Sequence, residues 1–280
     1  MQNLILVVNK EKNFTSRDVV NIVGKHFNTK KIGHTGTLDP IATGVLVMCL
    51  GKYTKLVDDL STLQKEYIAT IKVGIKTDTL DITGNVPEEK KCSFNEKEIK
   101  DVFKKLIGKN VQEIPIYSAK KINGKKLYEY ARNKESVVLP KNEIEIYDLE
   151  LLEINNDLIT FRANVSKGTY IRSLIDVICN KLNIIGTMSK LERTKQGKFS
   201  IEDSYTIEEV KENKYKLLTV KDLFDYPIYK LNEEEYFKVK NGNKIKLPFT
   251  NKKVILEYAN NEVAIYVKDE DLYKVYVMLI

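Results

Sequence analysis

The chain has 280 residues, of which 42% are hydrophobic and 30% charged, with a net charge of +7. That balance predicts a folded protein with a large core and room for two domains, and excludes wholesale disorder. No apolar run reaches the roughly 18–20 residues that a membrane-spanning helix needs, and the opening MQNLILVVNKEKN lacks a basic leader and a cleavage site, so a cytoplasmic protein is expected.

Cys49, Cys92 and Cys179 lie far apart without a CxxC pair, and His26 and His34 are the only histidines. Neither a disulfide framework nor a zinc centre is expected. The chemistry is left to carboxylates, hydroxyls and cations. Residues 231–280 hold eight basic and eight acidic side chains, so the positive excess lies before them. Between Pro115 and Lys141, seven Lys and Arg residues face two Glu, with Tyr117, Tyr128 and Tyr130 among them. Cations among aromatics suit a nucleic-acid backbone with exposed bases. An ordinary solvated loop would have the same composition.

In chain order, Leu4 to Val8 reads as a strand. Asn13-Phe14-Thr15-Ser16 offers N-cap hydroxyls for a helix ending near Phe27, with Val19, Val20 and Val23 at helical spacing. Lys30 to Pro40 reads as a loop, Val45 to Leu50 as a buried strand, and Lys52 to Leu63 as a helix. Lys65 to Val73 alternates, with Tyr67, Ala69, Ile71 and Val73 on one face. Asn95 to Ile107 is an amphipathic helix with Ile99, Val102, Phe103, Leu106 and Ile107 in one stripe. Two strands follow, Glu143–Ile154 and Leu158–Val165, then a helix from Thr169 or Tyr170 to Leu182. The last fifty residues show short strands with turn signals at Asn241-Gly242-Asn243 and Asn260-Asn261. No regular βαβ rhythm appears, which favours an α+β fold, and the strand-rich tail after about Pro227 reads as a separate small domain.

The loop KIGHTGTLDPIATGVL, Lys31 to Leu46, is the unusual stretch. Gly33 and Gly36 allow conformations closed to other residues, and Pro40 stiffens the exit beside Asp39. Such a loop can hold one carboxylate in a fixed place. Capping of a turn is the alternative use of an Asp-Pro. A phosphate loop is excluded, because six residues separate Gly44 from Gly51-Lys52 and Tyr53 follows where a hydroxyl residue should stand.

GHTGTLDPIATGVL resembles the catalytic motif of the bacterial tRNA pseudouridine-55 synthases, the TruB family. NFTSRDVV, KEYIATIKVGIKTDTLDITG, Tyr117-Ser118-Ala119-Lys120 with GKKLYEYAR, and SKGTYIRSLI match in the same order, so the resemblance runs from about Val7 to Arg193 and more weakly through the tail. It implies a pseudouridine-synthase fold: a mixed, largely antiparallel central sheet flanked by helices over residues 1–228, with an RNA-binding thumb insertion at about 115–141. A small β-rich, PUA-like domain over 229–280 is implied after it, and its zero net charge departs from what an RNA-binding module would be expected to carry.

By this resemblance Asp39 is the catalytic carboxylate and Arg172 the arginine that pairs with it. A cation at the N-terminal end of a helix gains nothing from the helix dipole, which also favours burial of Arg172 against a partner. Tyr67 matches the active-site tyrosine that stacks on a flipped uracil, although alternation alone makes it an inward strand residue. Leu191 matches an apolar residue of the uracil pocket, and His34 the histidine that fills the vacated base stack. Lys65 and Asp81 match further site positions, Asp81 as a support through hydrogen bonds. Lys120, Lys121, Lys125, Lys126 and Tyr128 belong to the basic thumb, whose low apolar content implies ordering on RNA. The implied reaction isomerises uridine 55 of the T loop of tRNA without cofactor or metal, in a monomer that needs no protein partner. The alternatives are a tRNA folding chaperone with catalysis secondary, or a synthase aimed at ribosomal RNA through partner proteins.

Overall fold

The computed structural model describes residues 3–280. Its centre is a nine-stranded mixed sheet whose main path runs Leu4–Lys10, Thr43–Leu50, Gly186–Gln196, Lys65–Val73, Leu158–Val165, Lys141–Asn155 and Gly108–Glu113. Every pairing is antiparallel except that of Thr43–Leu50 with Gly186–Gln196, which is parallel and limited to Glu192–Thr43 and Arg193–Gly44. The α+β reading with a largely antiparallel mixed sheet and a strand-rich C-terminal region is correct.

The first strands are apolar without alternation because both faces are covered. Leu4, Leu6, Val8, Leu46, Met48 and Leu50 pack against Val19, Val20 and Val23 of the Ser16–His26 helix. Ile5, Val7, Val45, Val47 and Cys49 face the other way. In the second half of the sheet, Tyr67, Ala69, Ile71 and Val73 are buried together with two amphipathic helices, Glu96–Leu106 and Ile171–Lys181. The Asn95 cap reciprocated by Glu98 starts the first of these.

Several elements differ from the sequence reading. Lys52–Leu63 is a 3-10 turn, Gly51–Leu56, followed by the short helix Val57–Ser61. The Lys30–Pro40 loop includes the strand Ile32–His34, paired with Thr43–Leu50. Gly186–Gln196, at the middle of the sheet, was not legible as a strand, because polar Thr187, Arg193 and Gln196 occupy buried positions there. Hydrogen bonds replace hydrophobicity at those places: Gln196 donates to Thr35 Oγ1 at 2.6 Å, and Thr187 and Thr77 share a bond of 2.7 Å.

The tail forms a four-stranded sheet, Ile228–Lys230, Lys253–Tyr258, Asn261–Asp269 and Leu272–Met278, and also contains a helix, Glu233–Lys240. Asn241-Gly242 therefore ends a helix rather than joining two strands. Ala259 and Asn260, both at positive φ, make a hairpin turn one residue before the expected Asn260-Asn261. One face of this sheet shares a core with the body, where Ile255, Ile265, Val277 and Leu279 join Ile5 and Val7. Glu262 fastens the contact by accepting from Tyr53 Oη and from the backbone N–H groups of Val220 and Lys221.

Gly44 shows why the parallel junction needs glycine. Its φ is +102°, and a Cβ there would lie 2.3 Å from the Arg193 carbonyl oxygen. Gly44→Ala combines left-handed strain with a backbone clash, so an unfolding midpoint in urea should report a loss of at least about 2 kcal/mol.

Candidate active site

Asp39 lies in the loop that leads into the Thr43–Leu50 strand, where the two halves of the sheet meet. Its Oδ2 is 2.9 Å from Arg172 Nε, and Oδ1 accepts from Arg172 Nη2 at 3.0 Å. This is a two-pronged pair of the kind that fixes a carboxylate in direction as well as position. The Arg172 side chain is 5% exposed and that of Asp39 30%, so the carboxylate keeps one open side. The remaining guanidinium donors go to backbone carbonyls, Nη1 to Thr79 at 3.2 Å and Nη2 also to Tyr117 at 3.0 Å.

Each partner of the pair is held from behind. Leu38 N–H donates to Ser16 Oγ at 2.9 Å, and the Ser16 hydroxyl donates back to the Leu38 carbonyl at 3.3 Å. The Pro40 carbonyl accepts from Asn13 N–H, and the Asp39 carbonyl from Ala42 N–H. Thr15, not Ser16, caps the helix, in a reciprocal box with Asp18. Ser16 is thereby free to fasten the loop. On the other side, the buried Gln112 amide clamps Tyr170, accepting from its N–H at 2.7 Å and donating to its carbonyl at 3.0 Å. Tyr170 has no side-chain cap of its own, so Gln112 fixes the start of the helix that carries Arg172.

Around the pair is a cavity of about 480 Å³, within the roughly 300–1,000 Å³ range of ligand pockets. His34, Asp39, Lys65, Tyr67, Lys120, Arg172 and Leu191 line it. Strand register explains the grouping. Tyr67 stands opposite Arg193 and Ala69 opposite Leu191, so Tyr67, Leu191 and Arg193 share a face of neighbouring strands. Asp81 is behind the pair, its Oδ2 4.0 Å from Arg172 Nη1 and its Oδ1 accepting from Thr83 N–H and Thr79 Oγ1.

Of the thumb lysines, Lys120 alone lines the cavity, beside Ser118 and Ala119. Lys121 and Lys125 sit in a small hairpin, Lys125 is paired with Glu135 at 2.6 Å, and Lys126 donates to Tyr128 Oη at 3.1 Å. Tyr128 begins its path in the helix Leu127–Arg132 with its N–H bonded to the Ser118 carbonyl. Tyr170, Ser118 and Arg193 also line the cavity and were missed from sequence. Tyr170 lies two residues before Arg172, which was the available signal. Ser118 lies in the matching Tyr117–Lys120 segment and Arg193 at the end of the resemblance, but neither carried an assigned role.

Withdrawal from water pushes the Asp39 carboxyl above the ordinary range, against the pull of Arg172, and the Asp81 charge adds to the rise. Burial lowers His34, helped by the Arg193 charge, so its ring is neutral at pH 7. With Gly36 N–H donating to Nδ1, the proton is on Nε2. Burial also pushes Tyr170 upward, so it keeps its proton.

A carboxylate aimed by an arginine into a cleft of two tyrosines and a leucine is an arrangement capable of acid–base or nucleophilic chemistry on a flat ring. Residues 24–171 match the profile described as "TruB family pseudouridylate synthase (N terminal domain)". The sequence is 41% identical over 273 residues to "tRNA pseudouridine synthase B" of Caldicellulosiruptor saccharolyticus, covering 98% of this chain and 91% of that one. It is 44% identical over 250 residues to the protein of the same name from Clostridium tetani, covering 87% and 86%. The chain belongs to the TruB family of pseudouridylate synthases. Among solved structures, "Structure of H/ACA RNP bound to a substrate RNA containing 2'-deoxyuridine" aligns with a TM-score of 0.72 at 22% identity, over 99% of this chain and 85% of that one, a likeness of fold.

Two outcomes follow. Ser16→Ala leaves Leu38 N–H without its partner and should lower kcat about ten-fold with little change in KM, read in steady-state turnover. Arg172→Ala should lower kcat by about 10²–10³. If ionised Asp39 is the active form, activity fails as pH falls through its raised pKa. Removing Arg172 raises that pKa further, so the acid limb of the residual rate should move to higher pH. A limb that stays in place or moves down would contradict this.

Proposed function

We propose that this chain converts uridine 55 in the T loop of tRNA to pseudouridine, in the cytoplasm and without a protein partner. The observation that carries the reading is the Asp39–Arg172 pair at 2.9 and 3.0 Å, open on one side to a cavity with Tyr67, Tyr170 and Leu191 on its walls. The names of the relatives, tRNA pseudouridine synthase B, supply the substrate class.

The reaction breaks the N1–C1′ bond of uridine, turns the uracil and joins C5 to C1′. The C5 proton is lost and N1 gains one, so atoms and charge balance without an oxidant or a water. Asp39 can serve by attacking C1′, by adding to C6, or by taking a sugar proton. Under each route the guanidinium holds the carboxylate in its attacking direction. Tyr67 and Leu191 sandwich the ring and restrain the detached base, and bound RNA filling the cavity keeps water from intercepting it. The target must leave its stack to reach this floor, and neutral His34 at the cavity rim is placed to fill the gap.

The thumb over 115–141 closes on the T arm, its Lys120 nearest the cavity and its other lysines toward the RNA backbone. The PUA-like segment 229–280 extends the contact along the tRNA. With no net charge, it contributes shape more than attraction.

Single-nucleotide mapping of pseudouridine tests this directly. Wild-type protein should modify position 55 in tRNA and in an isolated T-arm stem-loop, while Asp39→Asn should bind with unchanged Kd and give no product. Full turnover by Asp39→Ala, or modification only when other proteins are added, would refute the reading.

A further inference from the structure

Arg193 and Lys65 are 1% and 7% exposed, yet neither forms an ion pair among the described residues. Buried cations are ordinarily paired, because desolvation without a counter-charge is costly. Lys10, fully buried nearby, has an answer: its ammonium donates to the Glu11 and Phe14 carbonyls, and Asp39 opposes its charge. Asp39 itself is taken by Arg172. Arg193 donates through Nε to the Val45 carbonyl at 2.6 Å and through Nη2 to the Gly36 carbonyl at 3.1 Å. Its Nη1 has no hydrogen-bond partner among the described residues. Lys65 donates to the Ser61 and Leu63 carbonyls and lines the same cavity, as does Lys167.

Gly36 shows that space is kept between these cations. It has no left-handed φ, so its backbone does not require glycine. A Cβ at that position would lie 3.3 Å from Arg193 Nη1 and 3.5 Å from Lys65 Cε. Both side chains therefore approach a place along the catalytic loop where a side chain is missing. A group entering there would meet the Arg193 guanidinium and the end of the Lys65 side chain, whose ammonium also donates to the Ser61 and Leu63 carbonyls.

We propose that Arg193, Lys65 and the bare face of Gly36 form an anion site that takes a phosphodiester oxygen of the RNA backbone beside the target nucleotide. This rests on the reading that the cavity receives a nucleotide of RNA. The site gives the catalytic cleft a grip on the backbone that is independent of the base. It also offsets the burial that, with repulsion from Arg193 and Lys167 added, pushes Lys65 down to about 8. A flipped nucleotide is held by its phosphate and its ring at once, which fixes C1′ against Asp39.

The test uses T-arm stem-loops that carry one uncharged methylphosphonate linkage, moved stepwise past the target uridine. Kd is measured separately from turnover, for wild type, Lys65→Met and Gly36→Ala. In wild type, one linkage next to the target should weaken binding about ten-fold. In Lys65→Met that same substitution should cost almost nothing, and the salt slope of log Kd should be smaller by about one phosphate. Gly36→Ala, checked for an unchanged melting curve, should show the same insensitivity. If no linkage separates wild type from either variant, or if Lys65→Met keeps the wild-type salt slope, the anion site is wrong. Pseudouridine made at position 55 in that same experiment would leave the functional reading standing.

Discussion

The two-pronged pair between Arg172 and Asp39 is the interaction on which the rest of this structure depends. A carboxylate moved out of water toward a hydrophobic floor would take up a proton unless a cation opposed it, and an arginine buried alone would be equally unfavourable. Neither residue is near the other in sequence: one ends a loop before a strand, and the other opens a helix after the opposite half of the sheet. The fold brings them together and then spends four further groups on keeping them there. Ser16 holds the loop, Gln112 holds the helix start, and the Thr79 and Tyr117 carbonyls take the remaining guanidinium donors. Because the pair uses most of the donors on Arg172, the open side of Asp39 is the one direction left for substrate.

The sequence carried the outline of this arrangement unevenly. Strands buried on both faces and helices with one apolar stripe announce themselves, since hydrophobicity and period coincide there, and Leu4–Lys10 and Glu96–Leu106 are examples. Gly186–Gln196 does not, although it is central, because its inward positions are filled by an arginine, a glutamine and a threonine whose burial is balanced by hydrogen bonds to distant elements. The same reason hid Arg193 as a wall of the cavity. Ser16 looked like one hydroxyl among several that could cap a helix. Its contact with Leu38 spans 22 positions and has no local signature. Resemblance placed Asp39, Tyr67, Arg172 and Leu191, and the structure brings all of them to one cavity. Composition alone marked the thumb as basic but could not say that Lys120 turns toward the cavity while Lys125 is occupied by Glu135.

Two glycines of the catalytic loop illustrate how one residue type answers different demands. At Gly44 the backbone is left-handed and pressed against the Arg193 carbonyl, so glycine is dictated by conformation and by contact. At Gly36 the conformation is open to any residue, and what matters is the volume left free before two cations. The loop is thus constrained where it joins the sheet and bare where it faces the cavity.

The contact of the Leu4–Lys10 strand with residues 277–279 has a consequence for how the protein is made. Asn3 donates to the Leu279 carbonyl across 276 positions, and Ile5 and Val7 share a core with Val277 and Leu279. The first strand emerges from the ribosome long before the residues that cover one of its faces have been translated. Until the Leu272–Met278 strand has been made and has folded, that face lacks its cover, and the nascent chain carries an apolar surface.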